Sequence, residues 1–179
     1  MADGAAAARK SALFWGALVT VLVLDVVTKM LALHYLQPPY IPHALVGDLL
    51  RFTLAYNVGV AFSMHVGSAS RWVFSLLAVA VLVFLGRLYR ESPPEDRVRA
   101  LALGLICGGA VGNLIDRVRS ARGVIDFIDI GLGDTRFYTF NVADMGVSIG
   151  AVLLAWSLWQ DERSARQRER GSEGGAQIG

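Results

Sequence analysis

Four apolar runs constrain this chain more than anything else in it, at roughly 12–36, 72–89, 99–118 and 141–160. A helix needs about 20 such residues to cross a bilayer. In hydrocarbon the backbone has to satisfy its own N–H and C=O groups, so runs of this length dictate helices. Composition agrees, with 54% of the 179 residues hydrophobic and a mean hydropathy of +0.48, too apolar for an ordinary soluble domain. A formal net charge of +2 leaves no footprint for nucleic acid, and none is expected as a partner. The one cysteine, Cys107, excludes an internal disulfide. Its neighbours Leu105, Ile106, Gly108 and Gly109 offer no base to activate a thiolate, so it reads as a packing residue.

Basic residues orient the runs. Arg9 and Lys10 precede the first, which is too long for a signal-peptide core and lacks a clear cleavage site, so an uncleaved span is expected. Arg87, Arg90, Arg97 and Arg99 flank the connector ESPPED, and Arg163, Arg166, Arg168 and Arg170 follow the fourth run. The positive-inside rule places all of these, and both termini, in the cytoplasm. Arg51, Arg71, Arg117, Arg119, Arg122 and Arg136 would lie outside. Residues 1–160 read as one membrane-embedded domain. Residues 161–179 read as a polar cytoplasmic tail, a solvated helix extension that frays into disorder.

The two outer segments carry a different pattern. Residues 48–64 partly alternate, with Phe52, Leu54 and Tyr56 on one strand face. VIDFIDI at 124–130 puts Val124, Asp126, Ile128 and Ile130 on one side, and RFYTF at 136–140 is strand-like after the turn GLGDT. The expected fold class is mainly α: a polytopic membrane protein with four transmembrane helices and a small β-structure on the extracytoplasmic side.

Polar residues stand where lipid should be. Asp25 and Lys29 are four apart, acid first, the favourable order for a helical ion pair. That pair either eases insertion or packs beneath a site. Gly104, Gly108 and Gly112 line one face of the third run and allow close helix approach. Asn113, Asp116 and Arg117 follow, either as interhelical glue with Asp116 and Arg117 partly neutralising each other, or as a cavity wall. Asn141 is placed to cap the fourth helix and bond the N–H of Asp144, while Asn141, Asp144 and Ser148 also form one stripe. Asp126 and Asp144 lie 144 − 126 = 18 residues apart, and both fall at the outer membrane boundary. Two carboxyls that converge there would share a proton, the chemistry of an aspartic peptidase. The helix N-terminus favours negative charge, so Asp144 is the acid expected to ionise first.

Other chemistries lack parts. His34, His43 and His65 fall outside the last two runs, no GxSG or HExxH is present, and Gly131-Leu132-Gly133-Asp134 sits in a polar turn. A small transporter or channel using intramembrane polar residues is the alternative from another class.

Five blocks in order, DVVTK (25–29), NVGVAFS (57–63), GGAVGNLIDRV (108–118), GVIDFI (123–128) and FNVAD (140–144), resemble lipoprotein signal peptidase, also called signal peptidase II. The resemblance implies an aspartic endopeptidase of the bacterial inner membrane with Asp126 and Asp144 as its catalytic pair. It also implies that Asn57, Gly59, Asn113, Arg117 and Asn141 line the substrate site, and that Asp25, Lys29 and Asp116 are architectural. The expected substrate is a prolipoprotein already carrying diacylglycerol on its lipobox cysteine, cut just before that residue. The expected partners are that substrate and membrane lipid, with no metal or organic cofactor and a monomeric enzyme.

Overall fold

The computed structural model describes residues 2–58 and 70–176. Four helices carry the apolar runs: α1 (Ala2–Tyr35), α2 (Ser70–Glu91), α3 (Arg97–Arg119) and α4 (Val142–Ala176). All four are long and apolar enough to cross a membrane. At 1.5 Å per residue the 22 residues of α2 reach about 33 Å, close to the thickness of bilayer hydrocarbon. Helices α1 and α4 are longer, at 34 and 35 residues. Alanines 5–8 extend one at its start, and charged residues after 160 extend the other. The polar extension expected beyond residue 160 is therefore helical as far as Ala176.

Helix α3 is the axis of the bundle and packs against each of the other three. Most of its apolar window is buried, whereas Met30, Leu76, Phe84 and Val152 on the outer helices are over 60% exposed. An apolar exterior around a packed axis is what a lipid solvent permits. Small residues set the spacing. A Cβ on Gly108 would sit 2.6 Å from the Leu18 carbonyl oxygen and 3.1 Å from the Cβ of Val21, so only glycine lets α1 come this near.

At the end holding both chain termini, Lys10 Nζ donates to the Ser92 carbonyl at 2.5 Å. Asp96 caps α3 by accepting the Arg99 N–H at 2.8 Å. Arg99 differs from expectation: instead of facing solvent beside a loop it is buried, paired with Asp96 at 3.1 Å and with Asp161, and bonded to Ser157 at 3.3 Å. These contacts clasp α3 to α4.

A four-stranded antiparallel sheet occupies the opposite end, in the order β1 (His43–Val46), β2 (Leu50–Asn57), β3 (Val124–Leu132), β4 (Thr135–Arg136). Leu132 faces Thr135, leaving Gly133 and Asp134 as a two-residue turn with Gly133 at φ +55°, where glycine carries no Cβ penalty. The Gly-Leu-Gly-Asp stretch is thus a hairpin. Two strand expectations need correction. Phe52 opposes Ile128 while Ala55 opposes Asp126, so β2 takes three steps where β3 takes two. Past that bulge the burial phase of β3 flips. Val124 and Asp126 are buried as read, but Phe127 and Asp129 follow them inward while Ile130 is exposed. The 136–140 stretch is also shorter as a strand, ending at Arg136, with Phe140 rejoining Ile128 as an isolated bridge.

The close approach at Gly108 yields a test. Gly108→Ala is expected to cost about 1–3 kcal/mol by overpacking. Gly16→Ala, at a site with nothing within 4 Å, is expected to cost nothing. Thermal denaturation of the two variants in detergent checks the contrast.

Candidate active site

The first turn of α4 gathers the polar residues. Asn141, immediately before it, accepts the Asp144 N–H on Oδ1 at 3.0 Å, and Asp144 Oδ2 accepts the Asn141 N–H at 3.3 Å. That is a reciprocal capping box with aspartate in the acid position, as the spacing predicted. Asp25 reaches across from α1 and accepts the neighbouring Ala143 N–H on Oδ1 at 2.9 Å. Two free amides of the helix start are thereby satisfied by two different elements.

Asn141 is fully buried and joins the acids. Its Nδ2 donates to Asp126 Oδ1 at 2.7 Å, Asn113 Oδ1 at 3.1 Å and the Ile125 carbonyl at 3.2 Å, so two hydrogens serve three acceptors. Asn113 Nδ2 in turn donates to Asp144 Oδ1 at 2.8 Å. Asp126 and Asp144 are thus the two ends of one chain of side-chain amides. Asp126 projects from β3 opposite Ala55, a residue small enough to leave its carboxyl room, and is 2% exposed. Burial first, and the charge of Asp144 second, push its pKa up from 3.8 to about 7. Hydrogen bonds from Asn141 and Asn57 and the charge of Lys29 act in the opposite sense.

Arg117 stands at the end of α3 with its Nη1 donating to the Asn113 carbonyl at 3.2 Å and its guanidinium 6.0 Å from the Phe74 ring centre. Its charge acts on Asp144, Asp126 and Asp116, and its buried Nε has no partner among the described residues. Asn57 ends β2 and bonds Asp126. Gly59, the remaining predicted site residue, lies outside the described residues. Every other residue expected at the site, Asp126, Asp144, Asn57, Asn113, Arg117 and Asn141, meets there.

Beneath the amides lies a buried cation. Lys29 Nζ contacts Asp25 Oδ2 at 2.7 Å, Asp116 Oδ2 at 2.8 Å and Asn113 Oδ1 at 3.0 Å. The Asp25–Lys29 pair therefore both neutralises itself and packs under the site. Asp116 departs from the expected neutralisation by Arg117: its close partner is Lys29, and it also accepts the Ile125 N–H at 3.2 Å, tying α3 to β3. One buried acid went unnoticed in the sequence. Asp129 is held by Arg136 Nε at 2.6 Å and Thr53 Oγ1 at 3.1 Å, a neutralised strut of the sheet rather than part of the amide chain. By alternation it falls on the face of β3 opposite Asp126, and that face is covered here as well.

Comparison with known proteins places the chain in a family. Residues 17–160 match the family described as Signal peptidase (SPase) II. The chain is 41% identical over 165 residues to the lipoprotein signal peptidase of Hydrogenovibrio crunogenus, covering 87% of this chain and 91% of that one. It is 40% identical over 152 residues to the lipoprotein signal peptidase of Teredinibacter turnerae, covering 82% and 87%. A bacterial membrane enzyme solved by the in meso method at 2.3 Å superposes with a TM-score of 0.72 at 28% identity, covering 82% of this chain and 87% of that one.

Asp25→Ala takes one of two carboxylates from Lys29, which keeps Asp116, and leaves the Ala143 N–H without its acceptor. It is expected to cost about 1–3 kcal/mol of stability. Asp25→Asn, which keeps a carbonyl for the Ala143 N–H, should lose less; denaturation in detergent compares them.

Proposed function

Because the chain belongs to the signal peptidase II family, we propose that it is an aspartic endopeptidase that cuts diacylglyceryl-modified prolipoproteins just before the lipidated lipobox cysteine. One observation carries the catalytic assignment. Asp126 and Asp144 are joined through Asn141 and Asn113 by neutral donors, with no close ion pair to either acid among the described residues. The other acids packed into this end, Asp25, Asp116 and Asp129, each have a cation within 3 Å. A transporter or channel, the other class compatible with polar residues in spans, is set aside by the family match.

At rest the pair holds one proton, carried by the buried Asp126. Asp144 takes a proton from water, whose oxygen attacks the scissile carbonyl, while Asp126 gives its proton to the carbonyl oxygen. The resulting gem-diol collapses as one hydroxyl returns its proton to Asp126. Asp144 protonates the leaving nitrogen, the C–N bond breaks, and both acids are reset. Asn57, Asn113 and Asn141 hold the peptide backbone, and Arg117, with a donor to spare, orients the headgroup end of the substrate. The acyl chains stay in surrounding lipid. The enzyme works as a monomer in the bacterial inner membrane, with domain 1–160 embedded and both termini cytoplasmic. Its acids then face the extracytoplasmic side. Basic residues clustered at the ends of α1 and α4 far from the sheet support that orientation.

Purified enzyme offered one lipobox peptide, with and without its diacylglyceryl group, is expected to cut only the lipidated form. Asp126→Asn and Asp144→Asn should each abolish that cleavage while still folding. Turnover by either variant would end the shared-proton mechanism.

The raised pKa of Asp126 fixes a second outcome. Below about 7 it keeps the proton that the mechanism requires, and above that it becomes a second anion beside Asp144. The free-enzyme profile of kcat/KM should therefore fall as pH rises through about 7. Stability has the same sign. The folded state binds this proton more tightly than the unfolded chain, so stability declines between 3.8 and about 7. Asp126→Asn should accordingly gain more Tm over the parent near pH 8 than near pH 5, about where the carboxyl is charged and neutral respectively.

A further inference from the structure

Resting on the shared-proton reading above, we propose that Lys29 is a positioning residue that keeps an N–H donor aimed at Asp144, by fixing the direction of the Asn113 side-chain amide. The chain of contacts is short. Lys29 Nζ lies 3.0 Å from Asn113 Oδ1, and Asn113 Nδ2 lies 2.8 Å from Asp144 Oδ1. An ammonium group can only donate and an ionised carboxylate can only accept. The amide between them therefore has one workable orientation, carbonyl to Lys29 and NH₂ to Asp144. Turned over, it would set NH₂ against ammonium and carbonyl against carboxylate, two unmade bonds in a buried place. Asn141 Nδ2 donates to the same Asn113 oxygen at 3.1 Å and supports that direction.

The consequence is asymmetric. Asp144 receives an N–H donor whose polarity is enforced from α1, whereas Asp126 takes its donor from Asn141 at 2.7 Å. Lys29 itself is held by Asp25 at 2.7 Å and Asp116 at 2.8 Å, so its placement does not depend on bound substrate. The charged groups around Asp144 are Asp126 from β3, Arg117 and Asp116 from α3, and Lys29 and Asp25 from α1.

The test separates this role from plain support of the fold. Lys29→Met/Asp116→Asn removes the donor while keeping the net charge of the cluster. It is expected to lower kcat at least about tenfold with KM within about twofold, and to displace the fall of kcat/KM near pH 7. Lys29→Gln/Asp116→Asn keeps an N–H donor without the cation and should hold kcat within about threefold of the parent. A folded Met variant with parental kcat and pH profile overturns the proposal, as does a Gln variant that loses as much as the Met one. Should the Met variant not fold, the parent enzyme still decides. The side-chain amide ¹H–¹⁵N signals of Asn113 are expected to move with pH in the parent and to lose that movement in Asp144→Asn. Signals that never move overturn the proposal. Asp126→Asn and Asp144→Asn, assayed alongside, report on the shared-proton mechanism separately: turnover in either sinks that mechanism whatever position 29 does.

Discussion

Placing carboxylates in an apolar slab obliges every oxygen to find a donor, and the start of α4 is where this chain meets that obligation. A helix N-terminus presents amides that need acceptors and a dipole that favours negative charge. Asp25 and Asn141 take the amides of Ala143 and Asp144, and Asp144 returns a bond to Asn141. Residues from α1, α3, β3 and α4 meet within one turn. The small faces of Gly108 and Gly112 exist to let that meeting happen, since a side chain at Gly112 would strike the carboxylate of Asp25.

The acids at this end fall into two kinds. Asp25 and Asp116 share Lys29, and Asp129 has Arg136, each pair buried with its counter-charge close by. Such acids fix geometry. Asp126 is instead buried against amide donors, and its proton stays near neutral affinity because desolvation outweighs those bonds. Burial without a close counter-ion stores free energy in a group able to give up or take a proton, and enzymes spend stability in this way. Sorting carboxylates by the company they keep is a sharper guide to chemistry here than sorting them by depth.

Much of this was legible before any coordinates. The spans, their number, the glycine face of α3, the capping spacing of Asn141 and Asp144 and the motif order are local properties, and each appears where the pattern put it. What escaped was non-local. Phe127 and Asp129 are buried on the other face of β3 by partners far away in the chain, Phe52 beside the Phe127 ring and Thr53 bonded to Asp129. Asp116 has an arginine next to it in sequence, yet the lysine that neutralises it comes from another helix. Arg99 counted as a loop charge until Asp96, Ser157 and Asp161 enclosed it.

That Arg99 clasp has a consequence for how the protein reads its surroundings. Ser157 and Asp144 sit on the same helix, 157 − 144 = 13 residues apart, about 20 Å along its axis. Polar anchors at both levels hold α3 and α4 in fixed register, so the pair behaves as a caliper of set jaw width. The height of the acids above the mid-plane is then written into helix length, and a bilayer of longer acyl chains has to thin locally or tilt the bundle to meet them. On the assignment proposed above, lipid thickness, a property of the solvent, becomes part of how a peptide bond is brought level with Asp126 and Asp144.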